Sequence, residues 1–276
     1  MFIFSSLRKK VYYRFLSYYN NYNSVSLSKQ MKERKNVFLY FDYEREFGGH
    51  KTTISNSNID ELLNFLSKNR LKTSWFTVGK ILRVYPESIE SIICNGHEIA
   101  SHTYAHIAPI NQSKKHLRED FEKFHNGLFQ DISVKGFHAP NGKWSLALIK
   151  LLPEFGYSYD VISAGKKGAR VEMIKHRNAK STLRFTSFGD DWPLLKKPVN
   201  EDIVFHHFVS LFEKIPKGHV GGIGAHPWVL FSQPEIWLGY KRFVKYLQQQ
   251  KDVRVETAGF FAEEIIENNN EKVRNS

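Results

Sequence analysis

From Asn36 onward the chain alternates short apolar runs, rich in β-branched and aromatic residues, with longer stretches of helical periodicity. The runs are VFLYFD (37–42), TSWFTV (73–78), HEIASH (97–102), VKGFHA (134–139), YSYDVI (157–162), TLRFTS (182–187), GGIGAH (221–226) and VRVET (253–257). Helices are expected between and after them at 58–69, 86–94, 113–129, 145–155, 200–213, 235–249 and 258–268. In the first, Ile59, Leu62, Leu63 and Leu66 recur at helical spacing; in the third, Leu117, Phe121, Phe124 and Leu128 share one face. Strands that alternate with helices make a parallel α/β sheet, and seven or eight such repeats are enough to close it into a barrel. The simplest partition is one domain over 36–268, a basic aromatic N-terminal extension over 1–35 and a disordered tail over 269–276, with residues 20–35 also read as a solvated end. At 41% hydrophobic residues the domain can bury a large core. Cys94 is the single cysteine, so no intrachain disulfide and no cysteine-rich zinc site can form; it is read as a small buried apolar residue.

Parallel barrels carry their reactive groups at the C-terminal ends of the strands. The polar residues there are Asp42 and Glu44, His102 and His106, His138, Asp160, Asp190 or Asp191 followed by Trp192, and His226. Asp42 and Glu44 are two apart, so they point to the same side of a strand while Tyr43 points away. His102 and His106 are four apart, and one helical turn or a tight loop would present both imidazoles to one point. Two neutral imidazoles and a carboxylate form a ligand set for one divalent metal, zinc first, with iron, cobalt or manganese as alternatives. Either acid can complete that set, leaving the other to accept a proton from water. His226, in GAHPW, suits the complementary role of protonating a leaving amine. His50, His116, His125, His176, His206, His207 and His219 lack such company and are read as ordinary core or surface side chains.

Of the net charge of +12, +7 falls in the first 36 residues. No zinc-finger spacing, RNP-like strand or basic region with heptads accompanies it, so nucleic acid is not expected as a partner. The opening MFIFSSLRKK is too short in apolar residues for a signal peptide, and a cytoplasmic location is expected. Leu7, Val11, Phe15, Tyr18 or Tyr19, and Tyr22 recur at helical spacing, with Arg8, Lys9, Lys10 and Arg14 available for the other faces. That pattern is read as a helix packed on the domain or a disordered extension, with peripheral membrane association through residues 1–30, at the inner face, as the competing reading.

FTVGKILRVYPESIESIICNGHEIASHTYAH, together with YFDYE, HAPN, FGDDWPLL, GGIGAHPWVL and VRVETAGFFAEEI, resembles the polysaccharide deacetylases of the NodB-homology family, carbohydrate esterase family 4, over about 37–261. The resemblance implies a distorted (β/α) barrel of about seven parallel strands. YFDYE resembles the Phe-Asp-x-Glu branch of the family, which implies Asp42 as the catalytic base and Glu44, His102 and His106 as metal ligands. HAPN stands in the place of Arg-x-Pro-Tyr/Phe, so His138 replaces the arginine that tunes the base, Pro140 matches, and the Asn141 N–H is the implied oxyanion donor. FGDDWPLL offers Asp190, Asp191 and Trp192 as further substrate-binding or tuning residues, His226 is the implied general acid, and Trp192 and Trp228 are candidates for stacking on a sugar. The function implied is removal of an N-acyl group, acetyl first, from an amino sugar that is a lipid- or nucleotide-linked glycan precursor or a polysaccharide. The alternatives are a cyclic amide or imide hydrolase of the same fold, like allantoinase, and a non-catalytic carbohydrate-binding relative, with His138 as its best support.

Overall fold

The computed structural model describes residues 11–12, 14–16, 24–27, 34–50, 54–129, 132–164, 171–176, 179–196 and 198–274. Its strands in chain order are β1 (Ser24–Ser26), β2 (Lys35–Tyr43), β3 (Ser74–Thr77), β4 (Glu98–Ser101), β5 (Gly136–His138), β6 (Tyr159–Ser163), β7 (Glu172–His176), β8 (Ala179–Ser187), β9 (Val220–Ala225) and β10 (Val253–Val255). Strands β2, β3, β4, β5, β6, β8 and β9 pair in that order, all in parallel, and β9 returns to β2. The sheet is therefore a closed barrel of seven parallel strands, with β10 paired beside the start of β2. The helices are α1 (Asn56–Lys68), α2 (Gly79–Val84), α3 (Pro86–Cys94), α4 (Lys114–His125), α5 (Leu146–Leu151), α6 (Glu201–Glu213), α7 (Pro227–Leu230), α8 (Pro234–Gln249) and α9 (Ala258–Arg274).

Period-two alternation along β2 divides the core. Val37, Leu39, Phe41 and Tyr43 join the apolar faces of the helices outside the barrel, while Phe38 and Tyr40 pack within it against Phe76, Tyr159 and Phe185. Asp42 continues the inward series, so the acid follows two large rings on the same face of the strand. Opposite them, β9 is glycine-rich for a steric reason: a Cβ on Gly222 would lie 2.4 Å from the Phe38 ring, and one on Gly224 would lie 2.4 Å from Tyr40.

The N-terminal end of the barrel is plugged. Ala258, Phe261, Ala262 and Ile265 of α9 join the interior cluster. The first N–H groups of that helix are satisfied from the barrel, Ala258 N donating to Ser74 Oγ and Gly259 N to Glu98 Oε2. Glu98 also accepts from Ser74 and Tyr159 at 2.7 Å each, and burial raises its pKa. With that end closed by packing, a ligand can enter only from the other end.

Several expectations change. Strands β1 and β7 are additions: β1 pairs antiparallel with β7, and β7 with β8, so part of the N-terminal extension widens the sheet instead of being a solvated end. Neither carries the apolar run of the barrel strands, since SVS and EMIKH are short and largely polar. Helix α9 continues to Arg274, past the boundary at 268. Most of residues 1–30, and with them the membrane-binding reading, lie outside the described residues. Among the described residues, no helix is long and apolar enough to cross a membrane. Cys94 is exposed, contrary to expectation. Helix α3 buries Ser88, Ile89 and Ile92, and a residue two positions beyond Ile92 comes round to the opposite side.

His97, at the foot of β4, is a structural histidine. Its Nδ1 accepts from the Thr73 N–H at 3.1 Å, and burial, assisted by the charge of Lys72, pushes its pKa down to about 4. Between pH 6.5 and 4 the unfolded chain therefore binds a proton here that the folded chain refuses, so this residue's contribution is lost as pH falls through that window. The loss should approach about 3 kcal/mol at the acid end, and His97→Gln should remove it, flattening the pH dependence measured by urea unfolding. Parallel profiles for the two proteins would refute the assignment.

Candidate metal and acid–base site

The ends of β2, β5 and β9 and the loops that follow β4 and β8 build the rim. Glu44 follows β2 directly, and Asp42 lies within that strand, both buried. His102 and His106 sit in the loop after β4, which is a tight loop and not a helical turn, with Thr103 at φ 64° and His106 at φ 57°. That conformation is held from behind: Gly79 N and Lys80 N of α2 donate to the Thr103 and Tyr104 carbonyls, and Asp120 of α4 accepts from Tyr104 N at 2.8 Å. Burial of Asp120, partly offset by the N–H groups of Tyr104 and Ala105, pushes its pKa up to about 6.

The histidine tautomer follows from the hydrogen bonding. His102 Nδ1 lies 2.8 Å from the His138 carbonyl oxygen, which can only accept, so Nδ1 carries the proton and Nε2 the lone pair. That Nε2 lies 3.6 Å from Glu44 Oε1, and His106 Nε2 lies 2.9 Å from the same oxygen. Both Nε2 atoms are buried and lack a properly oriented hydrogen-bond partner. Two orphaned imidazole nitrogens and a carboxylate oxygen, all within 4.8 Å of one another, are a donor set that fits a divalent cation. An outer carbonyl fixing the ligand tautomer is the usual support for such a set.

Beside this set lies an acid–base pair. Asp42 Oδ1 is 2.9 Å from His138 Nδ1, and Asp42 Oδ2 is 3.7 Å from His226 Nε2. Burial would raise the Asp42 pKa, but the charges of His138, His102 and His226 and the His138 hydrogen bond outweigh it and hold the carboxyl below its ordinary value. At Glu44 burial is likewise overcome, by the imidazoles of His102, His106 and His50 around it and the charge of His226, and the carboxyl is held below its ordinary value. His226 is gripped by Asp191, whose Oδ1 lies 2.6 Å from Nδ1 and whose Oδ2 accepts the His226 backbone N–H at 2.8 Å. Burial opposes charge on that ring, yet Asp191, with Glu44 and Asp42, pushes its pKa up to about 10.

The remaining expected residues divide. Of the Asp190–Asp191 alternative, Asp191 is wholly buried against His226, whereas the Asp190 carboxylate accepts from Trp192 N and stays outside the cluster. Trp192 is 46% exposed, with its ring 5.9 Å from His226 and 5.8 Å from Trp228. Trp228 is buried instead of open to a sugar: it lies under the His50 ring, and its Nε1 donates to Glu44 Oε2 at 3.3 Å. Pro140 is buried in the turn after β5, and Asn141 stands exposed at its tip with φ 56°. Asp160 is not at the site, because its neighbours Tyr159 and Val161 take the inward positions and it pairs with Arg184 at 2.9 Å. His50, read as an ordinary side chain, lies 3.2 Å from Glu44 Oε2. The overlooked signal is Gly48-Gly49 before it: a Cβ on Gly48 would sit 2.3 Å from Glu44 Oε2.

Residues 29–159, the segment that contributes both acids and the histidine pair, match the family model for polysaccharide deacetylase. That segment, just under half of the chain, is what resembles the polysaccharide deacetylases. Among similar proteins, YlxY of Bacillus subtilis (strain 168) is 28% identical over 36% of this chain and 32% of its own length. The chitooligosaccharide deacetylase of Sinorhizobium fredii (strain NBRC 101917 / NGR234) is 25% identical over 31% of this chain and 41% of its own. The matches thus span about a third to two fifths of these curated relatives. A solved structure from Mycobacterium smegmatis, assigned as a polysaccharide deacetylase, has a TM-score of 0.70 at 19% identity, covering 86% of this chain and 92% of that one. Puue allantoinase has a TM-score of 0.65 at 16% identity, with 84% and 90% covered. BA3943, a CE4 family pseudoenzyme from Bacillus anthracis, has a TM-score of 0.59 at 15% identity, with 83% and 66% covered. These structural likenesses concern the deacetylase fold.

Proposed function

We propose that this protein is a metal-dependent hydrolase that removes an N-acyl group, acetyl first, from an amino sugar. The observation that carries the reading is the pair of unpartnered imidazole nitrogens, His102 Nε2 and His106 Nε2, facing Glu44 Oε1, with Asp42 and His226 alongside. Glu44, His102 and His106 would hold the metal, zinc first, with iron, cobalt or manganese as alternatives. A bound divalent ion supplies Lewis-acid polarisation of the amide carbonyl and a lowered pKa for water. Asp42 accepts the proton of the attacking water, His138 holding its other oxygen in place. The Asn141 backbone N–H, at the tip of the Pro140–Gly142 turn, donates to the developing oxyanion. His226, with its pKa near 10, is protonated at neutral pH and delivers its Nε2 proton to the leaving amine while Asp191 holds Nδ1. Trp192 offers the exposed ring on which a sugar can stack.

A lipid- or nucleotide-linked sugar at the inner face of the membrane is the proposed substrate, supported by the eight lysines and arginines among residues 1–36. The test is metal analysis of wild type beside His102→Ala, with acetate release measured from N-acetylated sugar donors and, in parallel, turnover of cyclic ureides. Wild type is expected to carry about one metal ion and release acetate, and His102→Ala to lose both. Full metal occupancy in the variant would sink the site assignment; turnover of cyclic ureides alone would replace the substrate class. Deleting residues 1–30 should reduce the membrane-associated fraction, and an unchanged fraction would remove the membrane component.

A further inference from the structure

Glu44 has two carboxylate oxygens, and they face different company. Oε1 looks toward His106 Nε2 at 2.9 Å and His102 Nε2 at 3.6 Å. Oε2 accepts from Trp228 Nε1 at 3.3 Å and lies 3.2 Å from His50 Nε2. Since an ionised carboxylate only accepts, His50 carries its proton on Nε2. The His50 ring lies flat on the Trp228 indole, with centroids 3.9 Å apart and planes at 28°, so each ring limits the other's rotation.

The chain is built to return His50 to this point. Arg45, at φ 48°, starts the turn, and its buried guanidinium donates through Nε to Tyr43 Oη at 2.6 Å and through Nη1 to the Ile54 carbonyl at 3.1 Å. One arginine thereby ties together the residues on both sides of the 44–50 segment. Gly49 takes φ 81°, and Gly48 lacks the Cβ that would lie 2.3 Å from Glu44 Oε2 and 2.6 Å from His50 Nε2. Trp228 comes from the neighbouring strand end, two residues beyond His226, where β9 lies paired with β2.

We propose that His50, stacked on Trp228, is a positioning residue for Glu44: the two N–H donors hold Oε2 and so aim Oε1 at the point the two imidazoles face. The proposal rests on the metal-site reading above. A glutamate free to turn about its terminal torsions would spend much of its time with neither oxygen aimed at that point, and outer partners of this kind are commonly worth about 10- to 100-fold in metal affinity.

The test is zinc affinity, measured by competition with a chromophoric chelator on the full chain, for wild type, His50→Ala, His50→Gln, Trp228→Phe and His102→Ala, with circular dichroism confirming the fold of each. His50→Ala should weaken zinc binding by about 10- to 100-fold. His50→Gln, which keeps a side-chain N–H donor, should recover part of that loss, and Trp228→Phe, which keeps a ring but removes the donor, should weaken binding without disturbing the fold. A mere packing role would leave the zinc affinity of folded His50→Ala unchanged, and that result overturns the proposal. If His50→Ala fails to fold, undiminished zinc affinity in Trp228→Phe overturns it instead. Wild type binding zinc no better than His102→Ala would fail the metal reading itself, a different outcome from wild type and His50→Ala binding zinc equally tightly.

Discussion

Asp42→Asn is expected to lower the rate of N-acyl hydrolysis by about 10³-fold, close to 4 kcal/mol of transition-state stabilisation, while leaving the metal content of the protein unchanged. The substitution preserves shape and an acceptor for His138, which stands 2.9 Å from Oδ1, but removes the group proposed to take the proton. Metal content is the discriminating readout because strand geometry alone allows the opposite division of labour. Asp42, His102 and His138 also bring one donor atom each within 4.8 Å of one another. His102, however, uses Nδ1, the nitrogen nearer Asp42, to donate to the His138 carbonyl, so its free lone pair points to the Glu44 side. Loss of metal from Asp42→Asn would reverse the two roles.

The second large effect is on folding. Gly222→Val is expected to destabilise the protein by on the order of 3 kcal/mol or more, since the added Cβ alone would lie 2.4 Å from the Phe38 ring inside a closed barrel that has nowhere to expand. Gly156→Ala serves as the comparison: its φ is 78° but a Cβ there meets nothing within 4 Å, so only the left-handed backbone is penalised, at about 1 kcal/mol. Thermal unfolding of both variants, and of Gly222→Val combined with Phe38→Leu, checks the mechanism. Partial recovery in the double variant is expected, and strictly additive losses would show that the Phe38 contact is not the cause.

The parts of the site legible in the sequence share one property: their chemistry is encoded by short-range spacing. Asp42 and Glu44 reach the same side because residues two apart on a strand must. His102 and His106 reach one point because they are four residues apart in a loop that turns tightly at Thr103 and His106. The barrel itself was legible because its strands and helices alternate, and the seven strands that close it were all among the eight expected. Strand ends supplied the filter that gathered His138 and His226 with them.

Other features depended on which face a residue takes after closure. Asp160 ends up outside the barrel because Tyr159 and Val161 take the inward positions, and Cys94 ends up exposed because Ile89 and Ile92 occupy the buried face of its helix. Asp190 and Asp191 are chemically identical neighbours, and only the return of β9 beside them decides that Asp191 meets His226. His50 and Trp228 lie 178 positions apart in the chain, and no local pattern marks them as partners. Residue types and spacing along the strands thus determined a parallel barrel with an acid pair and a histidine pair at its rim. Closure of the barrel alone decided which aspartate holds His226, which tryptophan stays open to a ligand, and which histidine reaches Glu44, because those contacts join segments that only the ring of strands brings together.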